Sequence, residues 1–570
     1  MERNLSIALL SSFTARSIEA ALHTACKESG MPCAIYLGGY NQYAQEILNP
    51  QSGLYGSSPD LVILFVDTRS LFGENFFVPY EISDEARKEL AKDKFQEISA
   101  LVECIKKNSS AKVLLHNFEI PAYSPLGILE NKQEFGFFEA VETLNTSIRE
   151  QFKTDPRVLV FDYERFCARL GKERVFDHKM YYFGDIKLNP QCIPALAKEY
   201  VGYIKACTAR TKKCLVLDCD NTLWGGVIGE DGIEGIRLGP TPEGRPFLEF
   251  QKYILALFQR GVVLAINSKN NHDDVMRVLH EHPHMVLKEE HFAATRINWD
   301  DKIANMRELA NELNLGIDSF VFVDDEQINR DMVRSMLPEV SVLELPADPA
   351  LYVKTISELD DFHTIALTDE DLERGKMYAV DRQRKEVQST ATDLNEYLRN
   401  LQTVVTILPA HSMTIPRIAQ LTQKTNQFNM TTRRYMEDEI AGLAERDGFL
   451  VVSLNARDRF GDNGVVGVAL VERGSTQWRI DTFLLSCRII GRRIEEALLA
   501  YITDRAKQEG AATLIGEFIS TKKNAPAKGF YEKNGFVRVH SVGESEIWEY
   551  DLANVYPYPD LITIINFSSP

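Results

Sequence analysis

The sequence predicts a multidomain α/β protein, in which two doubly wound parallel sheets are followed by a mixed α+β domain. Its 570 residues are more than one hydrophobic core usually holds. In the first two parts, apolar strand-like runs alternate with amphipathic segments, which is the pattern of parallel sheets with covering helices. In the last part, "FLVVSLNARDRFGDNGVVGVALVE" predicts an antiparallel hairpin and "RRIEEALLAYITDRAKQEG" predicts a helix.

Four segments follow from these patterns. Residues 1–207 form the first α/β domain, with strands predicted at "SIALL", "DLVILFVDT", "AKVLLHNFE" and "RVLVFDYE". Residues 208–346 repeat the alternation on a smaller scale, with four predicted strands. Residues 347–402 are charged and rich in helix formers, which indicates a connecting helical segment. Residues 403–570 form the α+β domain and a C-terminal tail.

Composition and charge exclude several classes of function. Hydrophobic residues make up 44% of the chain and charged residues 26%, an ordinary mix for a globular protein. The net charge of -18 argues against a nucleic-acid binder, whose contact surface is basic. No run approaches the roughly 20 apolar residues of a membrane span. Nine cysteines without a CxxC pair and an N-terminus without a signal pattern predict a cytoplasmic protein with reduced thiols.

Reactive side chains follow three of the four strands predicted in the second part. They are Asp218 and Asp220 after "KCLVL", Ser268 in "VVLAINSKN", and Asp324 and Asp325 in "FVFVDDE". In an open parallel sheet, ligands bind at the carboxyl ends of the strands. We therefore expect these side chains to converge on one crevice, together with Lys302 near the start of an amphipathic helix.

These residue types fit phosphoryl transfer. A carboxylate can attack phosphorus and form an aspartyl-phosphate, while a hydroxyl and a lysine hold the phosphoryl oxygens. Neighbouring carboxylates raise each other's pKa, a cost that a cation such as Mg²⁺ offsets, and Mg²⁺ prefers oxygen ligands. A single strand-end aspartate more often caps a loop or a helix. The ordered set DxDxT, Ser, Lys and DD is far more specific.

The same motifs resemble those of the haloacid dehalogenase (HAD) superfamily of phosphotransferases. The longer string "LDCDNTLWGGVIGEDG" is similar to its FkbH-like branch, subfamily IIIC, and so are "LTQKTNQFNMTTRRY" and "SCRIIGRRIEE"; the match covers about Thr208 to Phe536. The resemblance implies one role for each motif residue. Asp218 would be the nucleophile and a Mg²⁺ ligand. Asp220 would be the general acid/base, with its backbone carbonyl on Mg²⁺, and Thr222 would orient it. Ser268 and Lys302 would bind phosphate, and Asp324 and Asp325 would complete the metal site.

FkbH-like proteins resemble glyceryl loaders, and this implies a substrate and a partner. The substrate would be 1,3-bisphosphoglycerate, and the partner an acyl carrier protein whose phosphopantetheine thiol accepts the glyceryl unit. An acyl phosphate is an activated donor and a thiol is a good acceptor, so the chemistry is consistent. Three alternatives stay open: a phosphatase fused to an acyl-CoA-dependent N-acyltransferase, a plain small-molecule phosphatase, and a non-catalytic assembly-line scaffold.

The last part of the chain resembles a GNAT acetyltransferase in "FYEKNGF" and "CRIIGRR". This resemblance implies a loop whose backbone N–H groups cradle phosphate at a helix start, and a tunnel for a pantetheine arm. The residues expected to bind that arm are Arg488, Gly491, Arg492, Arg493 and Tyr531. Cys487 is expected to relay the acyl group, whereas Cys219 is expected to point away from Asp218 and stay protonated.

Two pairs of arginines are candidates for docking an acidic carrier protein. They are Arg433 with Arg434, and Arg492 with Arg493. Complementary charge across an interface steers association. The alternative is that they are solvated surface arginines that contribute little.

The first part weakly resembles an SGNH-hydrolase-like domain with a flavodoxin-like sheet. The similarity lies in "LSSFTARSIEAAL", "GGYNQYAQEIL" and "FDHKMYY". Ser11 or Ser12 would be the nucleophile, with Asp177 and His178 completing a triad. The Gly-Asp that should precede the serine is missing, so we expect a non-catalytic scaffold or a partner-binding domain.

Overall fold

The computed structural model describes residues 5–365 and 393–566, except 555, and residues 367, 369–373, 375, 377, 378 and 384 between them. The predicted connector, 347–402, therefore contains most of the internal positions that lie outside the described residues. The contacts divide the chain into two compact units. The first ends at Thr208 and includes a short segment that begins at His363, and the second comprises Ala209–Phe362 and the chain from Leu367 onward.

The first unit contains a five-stranded parallel sheet in the order β2-β1-β3-β4-β5. Its strands are β1 (Leu5–Ser11), β2 (Cys33–Leu37), β3 (Leu61–Phe65), β4 (Lys112–His116) and β5 (Val158–Phe161). Ile7 of the central β1 pairs with Ile35 on one side and with Leu61 on the other. The strand β2 was not predicted, because it is a half-buried edge strand without the continuous apolar run of β1 or β3.

Helices cover both faces of this sheet. They are α1 (Arg16–Glu28), α2 (Tyr43–Leu48), α3 (Gly53–Gly56), α4 (Thr68–Phe72), α5 (Glu74–Phe77), α6 (Asp84–Asn108), α7 (Phe137–Phe152), α8 (Tyr163–Leu170), α9 (Lys172–Val175), α10 (His178–Gly184) and α11 (Ile193–Cys207), with a 3-10 turn at Gly127–Lys132. Alternate residues of β1 enter different cores: Ile7 and Leu9 pack in one, and Ala8 and Leu10 in the other. This alternation is that of a doubly wound sheet buried on both faces.

The second unit begins with another five-stranded parallel sheet, in the order β10-β9-β6-β7-β8. Its strands are β6 (Cys214–Leu217), β7 (Val263–Lys269), β8 (Phe292–Asn298), β9 (Phe320–Asp324) and β10 (Ser341–Glu344). Four of the five correspond to the predicted strands. The fifth, β8, is an edge strand whose sequence "FAATRIN" mixes apolar and polar residues, so its apolar pattern was too weak to predict it.

Six α-helices and three 3-10 turns accompany this sheet. The α-helices are α12 (Ile228–Gly235), α13 (Arg245–Gln259), α14 (His272–Glu281), α15 (Lys302–Leu313), α16 (Gln327–Met336) and α17 (Tyr352–Ser357), and the 3-10 turns are Glu289–His291, Ile317–Ser319 and Pro349–Leu351. Among the described residues of the connector, two further helices are α18 (Asp369–Leu372) and α19 (Leu394–Leu401). None of the described helices combines the length and the apolar character that crossing a membrane requires.

The remainder of the second unit is built on a mixed sheet of nine strands. They are β11 (Val404–Pro409), β12 (Phe428–Asn429), β13 (Phe449–Asp458), β14 (Gly461–Arg473), β15 (Gln477–Leu485), β16 (Thr513–Ile519), β17 (Val537–Val542), β18 (Ser545–Asp551) and β19 (Thr563–Asn566). Its helices are α20 (Ile415–Lys424), α21 (Glu437–Ala444), α22 (Ile494–Gln508) and α23 (Phe530–Lys533), with 3-10 turns at Cys487–Ile489 and Ala525–Ala527. The hairpin β13–β14 and the helix α22 were both predicted.

A parallel pair interrupts the otherwise largely antiparallel order of this sheet. β13, β14 and β15 are antiparallel neighbours, whereas β15 and β16 are parallel and are joined through α22. The parallel pairing covers only Gln477–Ile480 and Thr513–Gly516. Beyond Ile480 the edge of β15 pairs instead with β12. The multidomain α/β fold with an α+β C-terminal part is thus as predicted.

Candidate active site

Three carboxylates and a lysine meet at the carboxyl ends of β6 and β9. Oxygen atoms of Asp218, Asp324 and Asp325 lie within 4.8 Å of one another. The Lys302 Nζ lies 3.1 Å from Asp218 and 2.5 Å from Asp324. Asp301 begins α15 by accepting hydrogen bonds from two backbone N–H groups, which fixes Lys302 at the first position of the helix. The structure therefore brings together four of the residues that the motifs predicted.

The electrostatics of this cluster are those of a crowded, buried acid site. Burial raises the pKa of Asp218 to about 6, and repulsion from Asp324 adds to the shift. Burial, together with repulsion from Asp218 and Asp324, raises the pKa of Asp325 to about 7. Burial alone would lower the pKa of Lys302, but Asp218 and Asp324 outweigh it and raise the pKa. One ammonium group faces three carboxyl groups, so the cluster would attract a further cation.

The donor set fits Mg²⁺. Carboxylate oxygens are hard ligands, and the three acids lie close enough together to bind one ion. Burial is the main cause of the raised pKa values of Asp218 and Asp325, repulsion between the carboxylates adds to it, and a divalent cation would offset both. The residues that would hold the ion are Asp218, Asp324 and Asp325, with the backbone carbonyl of Asp220 as the further predicted ligand.

Asp220 is held by partners other than the one predicted. Its Oδ1 accepts hydrogen bonds from the Trp224 indole N–H (2.9 Å) and from the backbone N–H of Ile228 (3.1 Å), and its Oδ2 accepts one from the Asn270 amide (3.1 Å). Thr222 is fully buried, but its hydroxyl has no hydrogen-bond partner. In this structure Trp224 and Asn270, and not Thr222, hydrogen-bond to the Asp220 carboxylate, and the role of Thr222 stays a prediction.

Ser268 lies at the same strand edge, at the end of β7. It is buried, and its hydroxyl accepts a hydrogen bond from the Asn270 amide at 3.0 Å. Asn270 thus contacts both Ser268 and Asp220, and it links the second motif to the first. A polar residue two positions after a motif serine, just beyond the end of a strand, is a signal that the sequence contains but that we did not use.

Two residues of "EQINRDMV" support the acid pair after β9. The Asn329 amide donates to both carboxylate oxygens of Asp324, at 3.2 and 3.3 Å. Arg330 donates to the backbone carbonyls of Asp324 (2.8 Å) and Asp325 (2.6 Å). Both side chains are buried on α16. They stabilise the turn that places the two aspartates, and sequence reasoning missed them because their spacing matched none of the motifs considered.

Cys219 lies between the two motif aspartates, but it faces the hydrophobic core. It is fully buried among residues that include Leu217 and Leu223. Burial, together with the charge on Asp218, raises the pKa of its thiol well above the ordinary value. The raised pKa agrees with the expectation of a protonated Cys219, but its thiol also hydrogen-bonds with the side chain of Ser268, so it does not point wholly away from the site.

Cys487 lies at the far end of helix α15 from the phosphatase cluster. It is half-buried and begins a 3-10 turn two residues after β15 ends. Its carbonyl accepts a hydrogen bond from the side chain of Asn314, which follows α15 directly. Since α15 begins at Lys302 and has 12 residues, about 18 Å of helical rise separates the two places. A group that visits both places must be carried on a long arm.

The predicted phosphate loop before α22 has a different arrangement. Arg488 donates to the backbone carbonyl of Asn463 (3.3 Å), and the buried Arg492 pairs with Asp458 (3.3 Å). Gly491 adopts a positive φ of 83°, and Arg493 follows in the left-handed region, where it pairs with Glu496 (2.6 Å).

The helix start that should receive the phosphate is acidic. Glu495 and Glu496 occupy the first turn of α22. Burial raises the pKa of Glu495 to about 7. Acidic side chains at a helix start do not favour a bound anion, and Arg493 already pairs with Glu496, so the phosphate cradle at this loop stays a prediction.

The chain itself fills the gap between β15 and β16. Phe428 and Asn429 pair with Leu485 and Leu484 of β15. The Met430 N–H donates to the Phe483 carbonyl (3.0 Å), and the Met430 carbonyl accepts from the Ile519 N–H of β16 (2.8 Å).

Side chains also fix this segment, residues 428–430, which we call the inserted segment. The Asn524 amide donates to the Asn429 carbonyl at 3.0 Å, and all three residues of the segment are buried. The inserted segment thus pairs with the edges of β15 and β16 where these two strands stop pairing with each other. The pantetheine tunnel stays a prediction, and an arm that entered this gap would have to displace the segment.

Tyr531 and the first arginine pair are also engaged within the chain. Tyr531 is fully buried and packs its ring against Gly516. Arg433 forms ion pairs with Asp481 (2.6 Å) and Glu517 (2.9 Å). Arg434 is exposed, and its guanidinium donates to several backbone carbonyls around Thr425. Arg492 is buried, so it is not available as a docking residue, whereas a docking role of Arg434 stays a prediction.

We predict that this C-terminal part binds neither CoA nor acetyl-CoA. Binding would have to displace the inserted segment with its hydrogen bonds to both strands. Isothermal titration should show no saturable binding at millimolar ligand, and hydrogen exchange should show the Met430 and Ile519 amides equally protected with and without CoA. Asn524→Ala, which removes the donor to Asn429, should speed exchange at Met430 only locally. Micromolar binding of CoA to the wild-type chain would contradict the prediction.

In the first unit, the serine that was considered as a nucleophile has an acidic partner. The Ser12 hydroxyl donates to Asp67 at 2.7 Å, and the Ser11 hydroxyl donates to the Phe13 carbonyl at 2.6 Å. Asp177 accepts hydrogen bonds from the backbone at the start of α10, and the ring of His178, the next residue, packs against Phe176. The structure gives none of these side chains the partner that a catalytic triad would need.

Comparison with known proteins assigns the chain to a family. Residues 6–205 match the model of the FkbH N-terminal domain. The N-terminal part of the protein BF1531 from Bacteroides fragilis, which contains a phosphatase domain and was crystallised with Mg, is 30% identical. The match covers 64% of this chain and 95% of that one, with a TM-score of 0.59. No curated protein matches the chain.

Two solved acetyltransferases align with smaller parts of the chain. A putative GNAT-family acetyltransferase from Desulfovibrio desulfuricans is 16% identical, with a TM-score of 0.23, and the match covers 26% of this chain and 99% of that one. The ribosomal-protein-S18-alanine N-acetyltransferase from Escherichia coli is also 16% identical, with a TM-score of 0.22, and the match covers 28% of this chain and 97% of that one.

The second unit carries a phosphatase domain of the HAD type, because a parallel sheet places the DxD, serine, lysine and paired-aspartate groups at one strand edge. The chain is an enzyme of that class. It belongs to the FkbH family.

Proposed function

We propose that the chain is a Mg²⁺-dependent phosphatase and glyceryl transferase that acts on 1,3-bisphosphoglycerate. It removes phosphate and loads the glyceryl unit onto the phosphopantetheine thiol of an acyl carrier protein. The observation that carries the proposal is the cluster of Asp218, Asp324 and Asp325 with Lys302 bridging two of them. Membership of the FkbH family supports the glyceryl substrate and the carrier partner.

The residues at the strand edge divide the phosphatase step among them. The Asp218 carboxylate attacks phosphorus and forms an aspartyl-phosphate, while Asp220, held by Trp224 and Asn270, gives a proton to the leaving oxygen. The Asp220 carboxylate then takes a proton from the water that hydrolyses the aspartyl-phosphate. Lys302 and Ser268 hold the phosphoryl oxygens. A bound Mg²⁺ would supply charge neutralisation for the phosphoryl group and Asp218.

The transfer step needs a thiol but no further oxidant or cofactor. The carrier thiolate attacks the acyl carbon of the acyl phosphate, a thioester forms, and phosphate leaves. In the relay version, the Cys487 thiolate attacks first and the carrier thiol then exchanges with the enzyme thioester. The position of Cys487, about 18 Å of helix from Lys302, favours a long flexible carrier arm over a direct hand-over between the two places.

One alternative function is weakened by a specific observation. A phosphatase fused to an acyl-CoA-dependent N-acyltransferase needs an open site for CoA, but the inserted segment fills the gap between β15 and β16. A plain phosphatase and a non-catalytic scaffold remain as rivals. The presence of Asp218, Asp220 and Lys302 argues against the scaffold. A plain phosphatase would release the acyl group as free glycerate, whereas the proposed transferase would load it onto the carrier.

Mass spectrometry of the acceptor tests the proposal directly. The protein is incubated with 1,3-bisphosphoglycerate, Mg²⁺ and a holo acyl carrier protein, and in parallel with pantetheine as a minimal acceptor. The carrier should gain the mass of a glyceryl thioester, and free phosphate should appear. Release of glycerate without loading of either acceptor would favour a plain phosphatase. No phosphate release at all would support the scaffold.

Substitution of Cys487 tests whether the acyl group passes through the enzyme. We expect Cys487→Ala to abolish loading of the carrier while phosphate release from a simple phosphate ester stays near the wild-type rate, because Cys487 lies at the opposite end of α15 from Lys302. A glyceryl thioester on Cys487, detected by peptide mass spectrometry of the wild type, would support the relay.

The control for this experiment is Cys207→Ala, which removes another half-buried thiol. It should leave both phosphate release and carrier loading unchanged. Normal loading by Cys487→Ala would exclude the relay through this cysteine and would leave direct attack by the carrier thiol as the mechanism.

A further inference from the structure

The first unit contains an open cleft that is distinct from the phosphatase cluster. It has a volume of about 680 Å³. Its walls come from the segments that follow β1, β2 and β3, represented by Thr14, Tyr40 and Arg69, and from the end of α10. The neighbours β2 and β3 lie on opposite sides of β1, so the cleft opens where the strand order reverses. Open α/β sheets bind ligands at such a switch point.

Arg69 is the cation that this cleft leaves without an acidic partner. Its guanidinium carbon lies 4.3 Å from the centroid of the Phe176 ring, 4.9 Å from that of Tyr181 and 5.1 Å from that of Phe76. Its Nη2 donates to the Tyr123 hydroxyl at 3.2 Å. Within the part of the chain that the structure describes, no ion pair joins Arg69 to a carboxylate. A guanidinium held by rings and lining a cleft is suited to bind an anion.

The floor of the cleft fixes the helix that carries Arg69. The Asp67 side chain accepts hydrogen bonds from the backbone N–H groups of Arg69 (3.1 Å) and Ser70 (3.3 Å) at the start of α4. Asp67 also pairs with the buried Lys187 at 2.5 Å and accepts from Ser12 at 2.7 Å. Lys187 is thereby neutralised within the floor, so its charge is used for positioning. Asp185 also lines the cleft and lies 3.6 Å from Lys187, so among the described lining residues Arg69 is the cation that forms no ion pair with a carboxylate.

The rim of the cleft is aromatic and exposed. Tyr182 is 81% exposed and Phe183 78%, and Phe77 and Tyr40 are exposed beside the same opening. Exposed rings that surround one cleft offer flat apolar faces to a ligand. The volume falls within the range of about 300–1,000 Å³ of small-molecule sites.

We propose that this cleft binds a small organic anion with a flat, apolar body. Its carboxylate or phosphate group pairs with Arg69, and its body lies against the rings of Tyr182 and Phe183. The proposal gives a binding role to the first unit, in which the Ser12 hydroxyl donates to Asp67 and is not part of a catalytic triad. The assignment is independent of the phosphatase and transfer chemistry of the second unit.

Titration with matched probes tests the proposal on the full-length chain. The probes are 1-naphthoate, phenylphosphonate and the uncharged 1-naphthamide, with binding followed by isothermal titration and by ligand NMR. We expect saturable binding of both anions to the wild type. Arg69→Gln should bind them at least about tenfold more weakly, because it loses one charge-assisted hydrogen bond. Binding of 1-naphthamide should be weak and should not change in Arg69→Gln.

Two further variants keep the test decisive. Phe183→Ala truncates an exposed ring, so the variant should fold normally, and it should weaken all three probes that bind through their rings. Arg165→Gln removes an exposed arginine of the same domain outside the cleft and should change nothing. Phosphate release should be unchanged in Phe183→Ala. The proposal is overturned if neither anion binds at millimolar concentration, or if Arg69→Gln and Phe183→Ala both bind them as the wild type does.

Discussion

Replacing Asp218 with asparagine is expected to reduce phosphate release by at least about a thousandfold. The amide cannot attack phosphorus, and it is a poorer ligand for a divalent cation than the carboxylate it replaces. The fold should be kept, because the substitution preserves the shape of the side chain and removes one of three carboxylates that repel one another. The measurement is phosphate release with Mg²⁺ and with excess EDTA, and wild-type activity should itself be lost in EDTA.

The neighbouring carboxylate provides an informative comparison. Asp220→Asn should be nearly as damaging, but it spares the nucleophile, so an aspartyl-phosphate on Asp218 should accumulate and be detectable by mass spectrometry. Asp300→Asn makes the same chemical change at an exposed position close to the site and should be silent. Wild-type rates in Asp218→Asn, or full activity in EDTA, would refute the assignment of the site.

Replacing Lys302 with methionine is expected to damage both activity and stability. Its ammonium group lies 3.1 Å from Asp218 and 2.5 Å from Asp324 and is almost completely buried, so its loss leaves buried carboxylates without a counter-charge. Removal of one member of such a buried pair costs about 3–5 kcal/mol. Phosphate release should fall at least about a hundredfold, because the charge that holds the phosphoryl oxygens is gone.

Thermal unfolding with and without Mg²⁺ separates the two effects. The loss of stability in Lys302→Met should be large in EDTA and smaller in excess Mg²⁺, since a bound cation stabilises the folded state and replaces part of the missing charge. Lys269→Met, at the exposed end of β7, should change neither quantity. An unfolding transition of Lys302→Met that matches the wild type in EDTA would show that the lysine is not the counter-ion of the cluster.

The residues of the phosphatase cluster could be predicted because local sequence determines them. An apolar run that ends in a carboxylate marks the end of a buried strand, and parallel strands bring their carboxyl ends to one edge of the sheet. Asp218, Asp324 and Lys302 therefore meet as expected. The support of Asp220 by Asn270 was less predictable, because it depends on which side chain reaches across from the neighbouring strand. The edge strands β2 and β8 were missed since half-exposed strands carry weak apolar patterns.

The C-terminal part shows where sequence reasoning ended. The sequence by itself determined the chemistry of the phosphatase site, the alternation of strands and helices, and the hairpin β13–β14. Only the tertiary structure decided that the inserted segment fills the gap between β15 and β16, that Arg492 is buried against Asp458, and that Arg434 donates to backbone carbonyls of its own chain. The physical reason is that a motif specifies which groups are present, whereas unpaired backbone groups and buried charges take whichever partners the packed chain brings within reach.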